Sequence, residues 1–114
     1  FIAWPYCSGG TALEREGVVS HTTPEDYLRV VATARLVLNN IDNIQASWLT
    51  VGLDTGLKAL RCGANDMGSI MIEENVVSST GLSDTVIDAD RMTAAIRSAG
   101  FTPRLRDQLY RMRD

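Results

Sequence analysis

The side chains of this chain best suited to chemistry gather in GANDMGSIMIEEN, positions 63–75, which presents Asp66, Ser69, Glu73, Glu74 and Asn75 in quick succession. Carboxylates can accept hydrogen bonds from substrate hydroxyls or trade protons with them, and an amide both donates and accepts. The apolar run before the acids has small residues where it starts and charges where it stops, which suits a strand leading into a site better than an alternating surface strand. A plainer reading weighs against it: Glu73 and Glu74 in the first turn of a helix would face the positive end of its dipole. Elsewhere the spacing yields no nucleophile–base pair and no metal cluster. Cys7 and Cys62 are far apart with His21 the single imidazole, so neither a zinc pattern nor a disulfide framework is present. Gly9 and Gly10 do not form a phosphate loop, because no GxxxxGKS or GxxxxGKT pattern follows and the one lysine is Lys58.

Positioning such residues requires regular elements on either side. FIAWPY (1–6) reads as a strand followed by the irregular, glycine-rich CSGGTALEREG. TTPED then starts a helix, with Thr23 as N-cap, Pro24 in the first turn and Glu25 and Asp26 against the positive dipole end. Leu28, Val31, Ala32, Arg35 and Leu38 continue it at helical spacing until Asn39 and Asn40. IQASWL (44–49) predicts a second strand, with Ile44, Ala46 and Trp48 on one face and Gln45 and Ser47 on the other. DTGLKALRCG (54–63) predicts a short helix capped by Asp54 and closed by Gly63. ANDMGSIM (64–71) is a third strand, and IEENVVSSTG a short helical segment. DADRMTAAIRSAG (88–100) is a capped amphipathic helix, and FTPRLRDQLYRMRD a last helix opened by Thr102 and Pro103.

Strands alternating with helices imply an α/β fold with parallel strands joined by right-handed crossovers, and ligands of such sheets lie beyond the strands' C-terminal ends. That rule selects the SGGTAL loop, Trp48 to Thr50, and Gly68 through Asn75. Trp48 itself is more often core than substrate platform. A chain of 114 residues suits one domain or part of one. Its net charge of −3 argues against a nucleic-acid module, and Arg104, Arg106, Arg111 and Arg113, interleaved with Asp107 and Asp114, read as a solvated helix face. No apolar run approaches a membrane span, and cysteine usage fits a reduced, cytoplasmic setting. Opening in a strand rather than at a methionine points to processing, design or a fragment.

Three runs together, NIQASWLTVG, ALRCGANDMGSIMIEENVVSSTG and AGFTPRLRDQLY, resemble the C-terminal portion of the radical S-adenosylmethionine enzymes that include the deazaflavin (FO) synthase subunits and the menaquinone-pathway futalosine enzymes. The QASWLT and GSIMIEENVVS forms resemble the futalosine cyclase branch more than FO synthase, and GGTAL is similar, more distantly, to the GTPL loop of biotin synthase. The resemblance implies a (βα)8 TIM-type barrel in which residues 1–87 are the last three βα units and residues 88–114 the closing helices of the same domain. It implies S-adenosylmethionine and a 4Fe-4S cluster in the full-length enzyme. There a 5'-deoxyadenosyl radical would take hydrogen from dehypoxanthinyl futalosine, a nucleoside-derived small molecule, and cyclisation would give a spiro product on the way to menaquinone.

In that setting Gln45 and Ser47 point into the barrel, Asp66 and Ser69 lie on its last strand, and Glu73 and Asn75 follow at the face enclosing substrate and S-adenosylmethionine. Glu73 is the acid favoured for a polar substrate contact. The family's CxxxCxxC cluster motif lies near the start of the barrel and cannot be made from Cys7 and Cys62, so this chain alone is expected to be inactive and to need the missing N-terminal half of the barrel. Uncovered parallel strands would also favour a homo-oligomer of the isolated piece. The competing expectation is a stand-alone flavodoxin-like binding or signalling module, such as a receiver, with Asp66 as its notable acid. A receiver would need an acidic pair after the first strand and a late lysine, which FIAWPY and the single Lys58 do not supply.

Overall fold

The computed structural model describes residues 1–70 and 87–113, and these form a mixed arrangement of helices around three short parallel segments. Helix α1 is Ala12–Arg15, α2 is Pro24–Val37, α3 is Trp48–Val51, α4 is Leu53–Arg61 and α5 is Ala89–Ser98. Local signals account for the longer ones. Thr23 Oγ1 accepts from the Asp26 N–H at 3.1 Å while the Asp26 carboxylate accepts from the Thr23 N–H at 3.1 Å, a capping box that satisfies two end groups of α2 at once. The Thr23 N–H foremost, and the Thr23 hydroxyl donating to Asp26 Oδ2 at 2.9 Å, hold the Asp26 carboxyl below its ordinary value. Asp88 likewise caps α5 by accepting from the Arg91 N–H at 2.7 Å.

The predicted strands 1–6, 44–49 and 64–71 narrow to a ladder of single bridges, Ile2 to Gln45 and Gln45 to Asp66, both parallel. The Gln45 N–H donates to the Phe1 carbonyl at 2.8 Å, the Ala46 N–H to Asp66 at 2.7 Å, and the Asn65 N–H to Ile44 at 3.0 Å. Each segment ends for a visible reason. Pro5 removes a ladder donor from the first. In the second, the chain turns into α3 at Trp48, where the Thr50 hydroxyl donates to the Ser47 carbonyl at 3.0 Å. The third turns at Gly68, whose φ of 73° lies in the left-handed region. Within the described residues these segments lie side by side and do not close into a barrel.

Alternation survives where it matters. Ile44 and Ala46 are fully buried while Gln45 is half-buried, and the buried face packs against Tyr27, Val31 and Ala34 of α2, Ala59 of α4, and Met67. Trp48 joins this core at 2% exposure, as its plainer reading had it. Arg35 ties α2 to the loops beneath: its Nε donates to the Gly63 carbonyl at 2.8 Å, and its terminal nitrogens donate to the Ile41 and Asp42 carbonyls and to Asn65 Oδ1.

The C-terminal segment departs from the sequence expectation. Instead of the last helix expected over 101–114, Leu105–Arg106 (β1) pairs antiparallel with Met112–Arg113 (β2). Asp107 is the cause. Its Oδ1 accepts from the Leu109 N–H at 2.8 Å and the Arg111 N–H at 3.0 Å, while its own N–H donates to the Arg111 carbonyl at 2.9 Å. An aspartate that captures nearby backbone N–H groups competes directly with helical hydrogen bonding.

Two substitutions test this packing. The Ser47 N–H donates to Tyr27 Oη at 2.8 Å inside the core, so Tyr27→Phe should leave that N–H unpaired and lower stability by about 1–3 kcal/mol, read as a lower denaturant midpoint. A Cβ at Gly56 in α4 would sit 2.8 Å from Trp48 Cβ and 3.2 Å from Trp48 Cα. Alanine gains about 1 kcal/mol over glycine in a helix interior, but overpacking against backbone costs about 1–3 kcal/mol. Gly56→Ala should therefore lower the thermal midpoint rather than raise it.

Candidate functional site

Asp66 holds together distant parts of the described residues. It stands beside Gln45 in the ladder, with a side chain only 9% exposed. Oδ2 accepts from Arg106 Nε at 2.6 Å, and Oδ1 accepts from the Gly68 N–H at 2.6 Å. The Arg106 guanidinium, delivered by β1, also donates to the Asp107 carbonyl at 2.9 Å and lies 4.1 Å from the centroid of the Tyr110 ring. The hydrogen bond to Asp66 pushes its pKa up, so it is a fixed cation. With both carboxylate oxygens committed, Asp66 acts as a structural acceptor rather than a free base; hydrogen bonds to charged groups contribute about 1.5–3 kcal/mol each.

Gln45 meets the turn that Asp66 organises. A Cβ built at Gly68 would collide with Gln45 Nε2 and sit 2.8 Å from its Cδ, so the carboxamide lies directly over the glycine. Only glycine combines that clearance with a φ of 73°. The half-buried Gln45 keeps a polar group at the ladder's centre on the face opposite Ile44 and Ala46.

Ser47 is placed differently. It is buried at 6% exposure and its Oγ lies 2.7 Å from Thr50 Oγ1, closing the first turn of α3. Its hydroxyl is committed inside its own turn and does not join Gln45. Ser69 lines, with Asp66 and Gly68, a cleft of about 1000 Å³ that runs between the third segment, α5 and the hairpin. Glu73 and Asn75, with the helical segment read over 72–81, lie outside the described residues.

Sequence reasoning missed two features. Arg106 was assigned to a solvated helix face, yet it reaches across forty positions to Asp66; only the capacity of Asp107 to form a turn hinted at a hairpin. A small pocket of about 160 Å³ at the ends of the first two segments is lined by Tyr6, Ser20, Thr22, Thr23 and Thr50 beside Cys7. Nearby, the SGGTAL loop satisfies itself. Thr11 Oγ1 donates to the Ser8 carbonyl at 2.7 Å and accepts from the Glu14 N–H at 3.1 Å, while the Gly10 N–H donates to Glu14 Oε2 at 2.7 Å. Those groups are spent on capping α1.

Metal binding finds no donor set among the described residues, where no three His, Cys, Asp or Glu side chains converge. Burial pushes the Cys7 thiol up, away from the thiolate that ligation requires. With two cysteines in the whole chain, the residues present do not fit an iron–sulfur cluster held by three.

A long-range ion pair holds the polar centre of the parallel ladder, and comparison with known proteins shows the family to which the chain belongs. The chain belongs to the family described as the CofH/MqnC C-terminal region, which matches residues 1–114. A cyclic dehypoxanthine futalosine synthase from Halalkalibacterium halodurans is 42% identical over 96% of this chain and 29% of its own length. Another of the same name from Streptomyces coelicolor is 46% identical over 75% of this chain and 21% of its own. A 5-amino-6-(D-ribitylamino)uracil--L-tyrosine 4-hydroxyphenyl transferase from Methanococcoides burtonii is 41% identical over 90% of this chain and 29% of its own. The chain thus spans less than a third of these relatives. No solved structure matches it. The futalosine enzymes named by the sequence resemblance therefore find counterparts among these relatives.

Gly68→Ala would meet both the left-handed backbone and the Gln45 carboxamide. It should lower the thermal midpoint and move the Gln45 side-chain amide resonances in a spectrum of the protein labelled at glutamine; unmoved resonances would show that the carboxamide does not rest on Gly68.

Proposed function

We propose that this chain is the C-terminal part of a radical S-adenosylmethionine enzyme that cyclises dehypoxanthinyl futalosine in menaquinone biosynthesis. The family match along the whole chain carries this reading, and similarity to two proteins named cyclic dehypoxanthine futalosine synthase directs it to that substrate. The same match favours an enzyme part over a stand-alone flavodoxin-like module. The intact enzyme is cytoplasmic in this reading, and its last three βα units come from this chain, closing a (βα)8 barrel.

The cluster and the chemistry it enables belong to the longer protein, because this chain lacks the cysteines to hold it. By itself the chain is inactive in this proposal. Its own residues bind, orient and exclude water. Gln45 offers both a donor and an acceptor to hydroxyls of a nucleoside-derived substrate or to S-adenosylmethionine. Ser69 adds a hydroxyl along the cleft, and Glu73 and Asn75 are proposed as further polar contacts after the third segment. Ser47 and Asp66 shape the wall, their polar atoms being engaged within the protein.

A second reading has a specific basis, the 41% identity to a 4-hydroxyphenyl transferase. The complete reading frame decides between them. Expressed and purified without oxygen, its product should carry iron and sulfide and convert S-adenosylmethionine to 5'-deoxyadenosine when given dehypoxanthinyl futalosine. Turnover only with 5-amino-6-(D-ribitylamino)uracil and tyrosine would move the chain to the transferase branch, and an iron-free product that consumes no S-adenosylmethionine would sink the enzyme reading. In an active enzyme, Gln45→Ala should lower kcat/KM about fivefold to tenfold, the loss of one hydrogen bond of about 1 kcal/mol.

A further inference from the structure

We infer that Arg106 is a positioning residue for the site: through Asp66 and the Gly68 turn it holds the Gln45 carboxamide in place. The inference rests on the reading above in taking Gln45 as a ligand contact. Three consecutive contacts make the connection. Arg106 Nε donates to Asp66 Oδ2 at 2.6 Å; Asp66 Oδ1 accepts from the Gly68 N–H at 2.6 Å; and the bare Cα of Gly68 is the surface on which the Gln45 carboxamide lies. Asp66 and Gln45 are also neighbours in the ladder, so a shift of one backbone is felt by the other.

The arrangement is more than a tether for the hairpin. A hairpin anchored only for stability has no need to spend its arginine on the carboxylate that bridges to a left-handed glycine. Arg106 is itself fixed before it reaches Asp66, by the Tyr110 ring and by the Asp107 carbonyl. A planar guanidinium held on both sides sets an orientation, where a lysine would supply a mobile point charge. Asp66 then has one oxygen for the cation and one for the turn. Losing the cation frees the carboxylate to rotate, and the Gly68 N–H loses its acceptor. The hairpin and the ladder's polar centre are therefore coupled across forty positions of sequence.

The test uses the protein from the complete reading frame and the variants Arg106→Gln, Arg106→Lys and Asp66→Asn. Two readouts need no turnover: hydrogen exchange at the Gly68 amide and the Gln45 side-chain amide resonances. Arg106→Gln should speed Gly68 exchange by about tenfold and shift the Gln45 resonances, with Asp66→Asn giving the same pattern and Arg106→Lys an intermediate one. With substrate, Arg106→Gln should raise KM severalfold while kcat changes by less than about twofold, as expected when uniform binding is lost. A variant that lowers the thermal midpoint yet leaves Gly68 exchange and the Gln45 resonances as in wild type would make Arg106 a mere anchor and overturn the inference. If wild type turns over neither substrate set, the functional reading fails by itself, and the exchange and resonance measurements still decide whether Arg106 positions Gln45.

Discussion

Asn65 carries much of the order in this structure, because the ladder it belongs to is too thin to hold its own register. Each pair of parallel segments shares a single bridge, and one backbone pairing is far short of a self-supporting sheet. Asn65 Oδ1 accepts from the Ile44 N–H at 2.8 Å, and its Nδ2 donates to Asn43 Oδ1 at 3.1 Å. Arg35, fixed on α2, donates to the same Oδ1 and to three carbonyls around it. Helix, second segment and third segment are thereby locked together at one end.

The other end is held by a second arginine. Arg106 plays at the exits of the segments the part that Arg35 plays at their starts: each reaches across from a distant element and satisfies groups the ladder leaves open. Buried polar groups must find partners, and here the partners come from far along the chain. Between the two clamps, Ile44 and Ala46 give the core its apolar face and Gln45 holds the polar one. Side-chain alternation thus becomes a division between an apolar, packed face and a polar one.

Apolar surface remains on the described residues. Trp4 is 67% exposed and Leu36 of α2 is 83% exposed, an arrangement that fits a chain matching less than a third of its relatives' length. The ladder is thin as well, one bridge per pair of segments, whereas parallel sheets are ordinarily covered on both faces.

Local features were legible in the residues themselves. Thr23 and Pro24 announced α2, Asp88 announced α5, and the glycines Gly63 and Gly100 closed their helices, because capping and dihedral preference act over a few residues. The alternation of Ile44, Gln45 and Ala46 was legible for the same reason, and the family was written in three short runs. What the tertiary structure alone decided is long-range. Ser47 left its predicted face because Thr50 and Tyr27 drew it into a turn. The last segment became a hairpin because Asp107 won its backbone N–H groups and Arg106 found Asp66. Caps and periodicity are set by neighbours in sequence, whereas the partner of a charge is set by which distant elements the fold brings within hydrogen-bonding reach.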